Sequence, residues 1–348
     1  MTTLKCTCKY VPDYILENLA KNNVEVARAS IHQSMRSREE REAKVVPIEG
    51  LVGGPEGGEE AFGAPPRKVY DCQFKWQKRV ELARSEGDPA TGDNEERDAY
   101  ESAGKVRDYF GEVLNRNSLD NAGMGLILNV HFGEKYMNAF WDGDEMTFGD
   151  GDGEIFISFA RSLDVVAHEL THGITQHTAN LVYKDQSGAL NEHFSDVFGT
   201  AITQYVLGQT AHEADWLVGD EIMGPALYGE ALRSMKAPGT AYDNALIGKD
   251  PQPDHMNNYY AGPADNGGVH INSGIPNKAF YLVAMTIGTA KAALIWYHAL
   301  QSLWPKAQFN DAVAVIANSA RILTKDGLVP QGSTQTVRAA FKAVGLPV

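Results

Sequence analysis

Cysteine is scarce: the 348 residues contain three, Cys6, Cys8 and Cys72. That excludes a scaffold built on disulfides, and an odd count leaves at least one thiol free. A reducing compartment, or indifference to redox state, fits. Positive charge is scarce too, with 31 Lys and Arg against 45 Asp and Glu and a net charge of −14. Nucleic acid and anionic membranes reward clustered Lys and Arg, so neither is expected as a partner. No apolar run approaches the length of a membrane span, and the opening MTTLKCTCKY lacks the apolar core of a signal peptide, so export, if it occurs, uses another route. What the chain has is size: 348 residues, 43% of them apolar, suffice for two domains with a cleft between them.

The stretch with the clearest chemistry is His168-Glu169-Leu170-Thr171-His172. A helix puts residues i and i+4 on one face, one turn apart, where two imidazoles can grip a single ion. Glu169 would then sit about 100° round the helix, close to the ion and placed to act as a general base. Residues 161–180 lack proline, keep Val165, Val166, Leu170 and Ile174 as an apolar stripe, and begin after Ser162, a plausible N-cap. After a turn at Lys184–Gly188, a second helical pattern runs to Gly208, with Leu190, Phe194, Val197, Phe198, Ile202 and Tyr205 on one face and Glu192 and Asp196 on the other. Helices joined by a short connection pack antiparallel, which returns Glu192 toward the histidines. Three protein ligands and one open position are the signature of catalytic zinc, and His168, His172 and Glu192 supply three.

Residues 1–46 read as a small helical unit, with Ile15, Leu16, Leu19, Val24, Val26 and Ile31 as its apolar face and a dense run of charge from Ser37 to Lys44. Residues 47–67, rich in Gly, Pro and Glu, have the composition of an exposed linker where proteolytic nicking concentrates. Lys68 to Phe159 favours a mixed, strand-rich domain, with strands at Gly125–Phe132 and Glu154–Phe159 and a helix over Asp98–Leu114. The acids between Asp142 and Asp152 do not follow the EF-hand order and read as turns. Beyond Gly208 the chain is mostly helical, with starts at Pro276, Thr289, Asn310 and Ser333. The helix of His168 and His172 should therefore lie at the floor of a cleft between a strand-rich and a helical half.

The run HELTHGITQHTANLVYKDQSGALNEHFSDVFG from residue 168 resembles the zinc site of the thermolysin-like neutral metalloproteases. The resemblance extends to Asn138-Ala139-Phe140-Trp141, to GDGDG at 149–153, to LRSM at 232–235 and to DNGGVHINSGIPNKAFYL at 265–282, and covers most of residues 70–348. VPDYIL near the N-terminus, with GTAYD, DPQP and HMN between residues 239 and 257, is similar to the protealysin-like members with a short pro-segment. The fold this implies is α+β: a strand-rich domain with the zinc helix at 68–182 and a helical domain at 183–348, preceded by a propeptide at 1–46 and a processing linker at 47–67. The activity it implies is a monomeric zinc endopeptidase acting on proteins and peptides before bulky hydrophobic residues. Its own propeptide would block the cleft until the enzyme cuts it off, and the protein would be secreted without a recognisable signal peptide, or else remain cytoplasmic. A zinc aminopeptidase and a zinc-stabilised binding module are the rival readings.

The resemblance also implies roles. Tyr183 and His270 would donate to the oxyanion, with Asp265 orienting His270; Asp196 and Asn191 would hold His168 and His172. Asn138, Ala139 and Arg233 would bind substrate backbone, and Phe156, Val165, Val218 and Leu232 would form the pocket for the residue after the scissile bond. Calcium is where the chain departs from the family. Asp164, Asp215 and Asp220 stand at ligand positions, but Thr203 and Leu217 replace two acids, which leaves room for one calcium rather than a pair. A pro-segment thiolate closing the zinc shell is a separate way to keep such an enzyme latent.

Overall fold

The computed structural model describes residues 8–42 and 64–348, so the end of the charged run, at Ala43 and Lys44, and nearly all of the expected linker lie outside the described residues. A six-stranded sheet occupies the first half, in the order β1-β5-β6-β4-β2-β3. Its strands are β1 (Cys8–Lys9), β2 (Arg67–Asp71), β3 (Glu81–Ser85), β4 (Leu126–Val130), β5 (Ala139–Trp141) and β6 (Met146–Phe148). Strands β2, β4 and β6 run parallel, while β3 and β5 are antiparallel to their neighbours. Alternating Leu126, Leu128 and Val130 are buried, and helix α3 (Asn94–Asp108) covers that face with Ala99, Ala103 and Val106.

The N-terminal unit consists of helices α1 (Asp13–Lys21) and α2 (Glu25–Glu42), and Ile15, Leu16 and Leu19 are buried as their spacing predicts. Strand β1, ahead of these helices, was not expected from the sequence. It pairs with β5 in the register Cys8↔Trp141 and Lys9↔Phe140, extending the sheet by one strand.

Helix α4 (Leu163–Gln176) follows Ser162, whose backbone is extended as an N-cap should be, but whose hydroxyl bonds to Asp164 and Glu221 instead of capping the helix. Helix α5 (Asp185–Leu207) starts earlier than the pattern indicated: the expected turn at 184–188 is largely its first turn, held by the Ser187 hydroxyl on the Val182 and Lys184 carbonyls. Gly208, left-handed at φ 67°, ends it. Helices α4 and α5 pack together, and α5 runs through the centre of the helical half, touching α6 (Ala264–Asn272), α7 (Gly274–Ile287), α8 (Thr289–Leu300) and α9 (Phe309–Lys325); α10 (Ser333–Ala343) packs on α7 and α9.

One expected strand is absent. Over Glu154–Phe159 only Phe156 bridges, to Met223, and a short 3-10 turn follows at Phe159–Arg161. The Asp152 carboxylate accepts the N–H groups of Glu154, Ile155 and Phe156, which curls the segment away from a ladder. The Asp98–Leu114 helix begins earlier, at Asn94, because Asp93 caps it by accepting the Glu96 N–H at 3.0 Å, and it passes into a π-turn at Tyr109–Val113.

Candidate metal centre and cleft

The i, i+4 geometry of α4 brings the His168 and His172 Nε2 atoms to 3.1 Å from each other. From α5, the Glu192 carboxylate lies 3.3 Å from His168 Nε2 and 3.4 Å from His172 Nε2. All three side chains are buried. The outer ring nitrogens are already engaged, His168 Nδ1 with Asp196 Oδ1 at 2.9 Å and His172 Nδ1 with Asn191 Oδ1 at 2.8 Å and Ser195 Oγ at 3.1 Å. Both Nε2 lone pairs are thereby turned inward on a carboxylate whose Oε2 has no hydrogen-bond partner, although it is buried. Buried acceptors converging in this way fit a cation, and nitrogen and carboxylate donors about 3.3 Å apart match the edge of a tetrahedral zinc shell.

Glu169 faces the same space. Its Oε2 accepts the Trp141 N–H at 2.9 Å, its Oε1 has no partner, and burial pushes its carboxyl up to about 8. Tyr183 OH contacts Glu192 and lies 3.1 Å from His270 Nε2. His270 is set by Asp265, whose Oδ1 is 2.6 Å from His270 Nδ1 and whose Oδ2 accepts the His270 and Ile271 N–H groups. That clamp needs Asp265, Asn266, Gly267 and Gly268 all at φ between 51° and 85°. A Cβ at 267 would strike Asp185 and one at 268 would lie 2.7 Å from Asn272 and Tyr260, so the two glycines are required.

The N-terminal strand runs through the cleft. The Lys9 carbonyl accepts from His270 Nε2 at 2.9 Å, and the Tyr10 N–H donates to the Ala139 carbonyl at 3.1 Å. Asn138 brackets Val11, accepting its N–H at 2.9 Å and donating to its carbonyl at 3.0 Å. Arg233 donates to the Tyr10 carbonyl at 3.3 Å while it grips Asp196. Cys8 is disulfide-bonded and has no thiolate for a metal, and burial pushes the Cys72 thiol up to about 12.

Phe156, Val165, Val218 and Leu232 are buried in the same hydrophobic core as Tyr10. Asp164, Asp215 and Asp220 line one cavity with Thr203 and Leu217, and Glu221, not anticipated from the sequence, joins them. Burial, then the charges of Asp164 and Asp215, push Asp220 up to about 6. The other contributors that sequence reasoning missed are Lys9 and Tyr10, which directly precede VPDYIL, and Asn277, which donates to Asp196 Oδ2 at 2.8 Å.

Known proteins place this geometry. The family model described as "Thermolysin metallopeptidase, catalytic domain" matches residues 64–176, and that of the alpha-helical domain matches residues 179–346. The extracellular metalloprotease of Pectobacterium carotovorum subsp. carotovorum is 47% identical over 297 residues, covering 84% of each chain. Protease PrtS of Photorhabdus sp. (strain Az29) is 43% identical over 296 residues, covering 83% of this chain and 80% of the relative. The solved precursor of protealysin, a metalloproteinase from Serratia proteamaculans, superposes with a TM-score of 0.84 at 38% identity, covering 98% of this chain and all of that one. Sheet, helices, cleft and sequence agree: the chain belongs to the thermolysin family of metallopeptidases, zinc-dependent neutral endopeptidases.

Proposed function

We propose that the chain is a latent zinc endopeptidase that cuts proteins and peptides before bulky hydrophobic residues, processes itself, and is secreted. The observation that carries the reading is the convergence of His168 Nε2, His172 Nε2 and an unpartnered Glu192 oxygen beside a partly unpartnered Glu169. His168, His172 and Glu192 hold the zinc, with Asp196 and Asn191 fixing the two imidazoles. Bound there, zinc brings the pKa of a coordinated water to about 7 and polarises a carbonyl. Glu169 takes the proton from water and passes it to the leaving amine. Tyr183 and His270 donate to the scissile carbonyl oxygen, with Asp265 orienting His270.

Asn138, Ala139 and Arg233 hold substrate backbone, as they hold Tyr10 and Val11. Phe156, Val165, Val218 and Leu232 receive the side chain after the cut. A continuous segment crosses the site with residues on both sides of the Lys9–Tyr10 bond, which favours an endopeptidase over an aminopeptidase. The same segment supports residues 1–46 as an intramolecular inhibitor, released at the 47–67 linker. Of the acids at this cavity, Asp164 is already engaged by Ser162, Gly219 and Tyr10, and the Leu217 side chain offers no oxygen, so Asp215, Asp220 and Glu221 take one calcium at most.

The test is time-resolved intact-mass analysis of the purified precursor, wild type and Glu169→Gln, with casein digestion with and without a zinc chelator. Wild type should shorten at its N-terminus and digest casein only when zinc is present. Glu169→Gln should retain zinc and do neither; proteolysis by that variant would refute the assignment.

A further inference from the structure

Tyr10 is held as a substrate residue would be, and its side chain reports what lies at the far end of the pocket. The ring is completely buried, meets the His168 ring edge-on with centroids 5.0 Å apart, and lies beneath the Arg233 guanidinium at 5.2 Å. On the opposite side the wall is Gly219 and Leu232: a Cβ on Gly219 would be 3.1 Å from both the Tyr10 ring and Leu232. Beyond the ring the pocket ends in a charge. The Tyr10 hydroxyl donates to Asp164 Oδ2 at 3.1 Å, an oxygen that also accepts the Gly219 N–H at 2.7 Å. The other oxygen, Oδ1, is taken by Ser162.

We propose that Asp164 is a specificity-determining residue that closes the pocket with a hydrogen-bond acceptor and makes the enzyme prefer tyrosine to phenylalanine immediately after the scissile bond. The inference rests on the endopeptidase reading of this cleft. A leucine side chain is too short to reach the carboxylate and leaves space for a water molecule that satisfies it. Phenylalanine fills the same ring volume as tyrosine, displaces that water and returns no hydrogen bond, so a buried charged acceptor is left one partner short. Sites that hydrogen-bond a substrate hydroxyl reject the analogue lacking it far more strongly than apolar pockets reject an added methylene. Because Oδ2 keeps the Gly219 N–H whichever residue binds, the preference falls well short of that extreme and is set by a single hydrogen bond, about tenfold.

The experiment compares internally quenched peptides that differ only in the residue after the cut, which is Leu, Phe, Tyr or O-methyltyrosine, using the processed enzyme. The expected result is a kcat/KM for Tyr about tenfold above that for Phe, with O-methyltyrosine below Phe because its oxygen has no proton to donate. In Asp164→Ala the Tyr/Phe ratio should fall to about one, a comparison within one variant that any general loss of activity cancels. A wild-type ratio at or below one overturns the proposal even if the variant does not fold, and so does a ratio that survives in Asp164→Ala. The leucine peptide separates the two levels: if it is cut, the endopeptidase reading stands whatever the Tyr/Phe ratio, and if no peptide is cut, reading and proposal fall together.

Discussion

Replacing Asp196 by asparagine should separate the stability of the zinc helix pair from its chemistry. Asp196 is fully buried and accepts from His168 Nδ1 at 2.9 Å, from Arg233 Nη2 at 2.9 Å, from Arg233 Nε at 3.0 Å and from Asn277 Nδ2 at 2.8 Å. Burial alone would raise its carboxyl, yet the Arg233 guanidinium and the His168 contact bring it down to about 2. Arg233 is 1% exposed, and Asp196 is the carboxylate paired with it among the described residues. Asp196→Asn therefore strands a buried guanidinium, a change that typically costs about 3–5 kcal/mol. For 348 residues, with an unfolding entropy of about 0.73 kcal/mol/K, that lowers Tm by roughly 4–7 °C. His168 loses the acceptor that fixes its tautomer, so zinc affinity should fall about 10- to 100-fold. Both quantities are measured in a Glu169→Gln background, where self-digestion cannot intervene, by urea unfolding followed by tryptophan fluorescence and by competition with a chromophoric zinc chelator. A loss below about 1 kcal/mol with unchanged zinc affinity would refute the reasoning, because a surface pair is worth no more than that.

Other outcomes follow from the same geometry. Tyr183→Phe removes a donor beside Glu192 and His270 and should lower kcat about 100-fold with little change in KM; equal losses in kcat and zinc content would point to the metal instead. His131 lies 2.7 Å from Asp150 and 3.3 Å from Asp93. Burial opposes its charge, but those two carboxylates raise its pKa to about 9. Since the folded value lies above the unfolded one, near 6.5, the stabilisation is complete below pH 6.5 and is lost as pH rises through 9. His131→Gln should thus cost about 1–2 kcal/mol at pH 6, after discounting for the partly exposed Asp93, and much less at pH 9.5; a gap that does not narrow in urea titrations at the two pH values would contradict it. One calcium at a hundredfold excess over its Kd contributes about 2.7 kcal/mol, so for a chain of 348 residues a calcium-selective chelator at constant zinc should lower Tm by no more than roughly 4 °C. A larger drop would mean that more than one ion binds despite Leu217.

What could be read from the chain depended on whether its signal was local. His168, His172 and Glu192 sit on two helices whose periodicity is intact in the sequence, so their convergence follows from the helix repeat and a short connection. Asp265 is different, because no periodicity announces it. It reaches His270 only through four consecutive left-handed residues, and resemblance identified it where spacing could not. The segment after Asp152 was misread because its apolar residues looked like a strand, while a single carboxylate captured the three N–H groups a ladder would need. Strand β1 left no trace at all: two residues long, it exists only because β5, some 130 residues further on, offers a free edge beside the zinc helix. That failure carries information. A two-residue strand held by the groups that would hold substrate is stabilised by the cleft rather than by a partner in its own unit, which is what the proposed release of residues 1–46 would require.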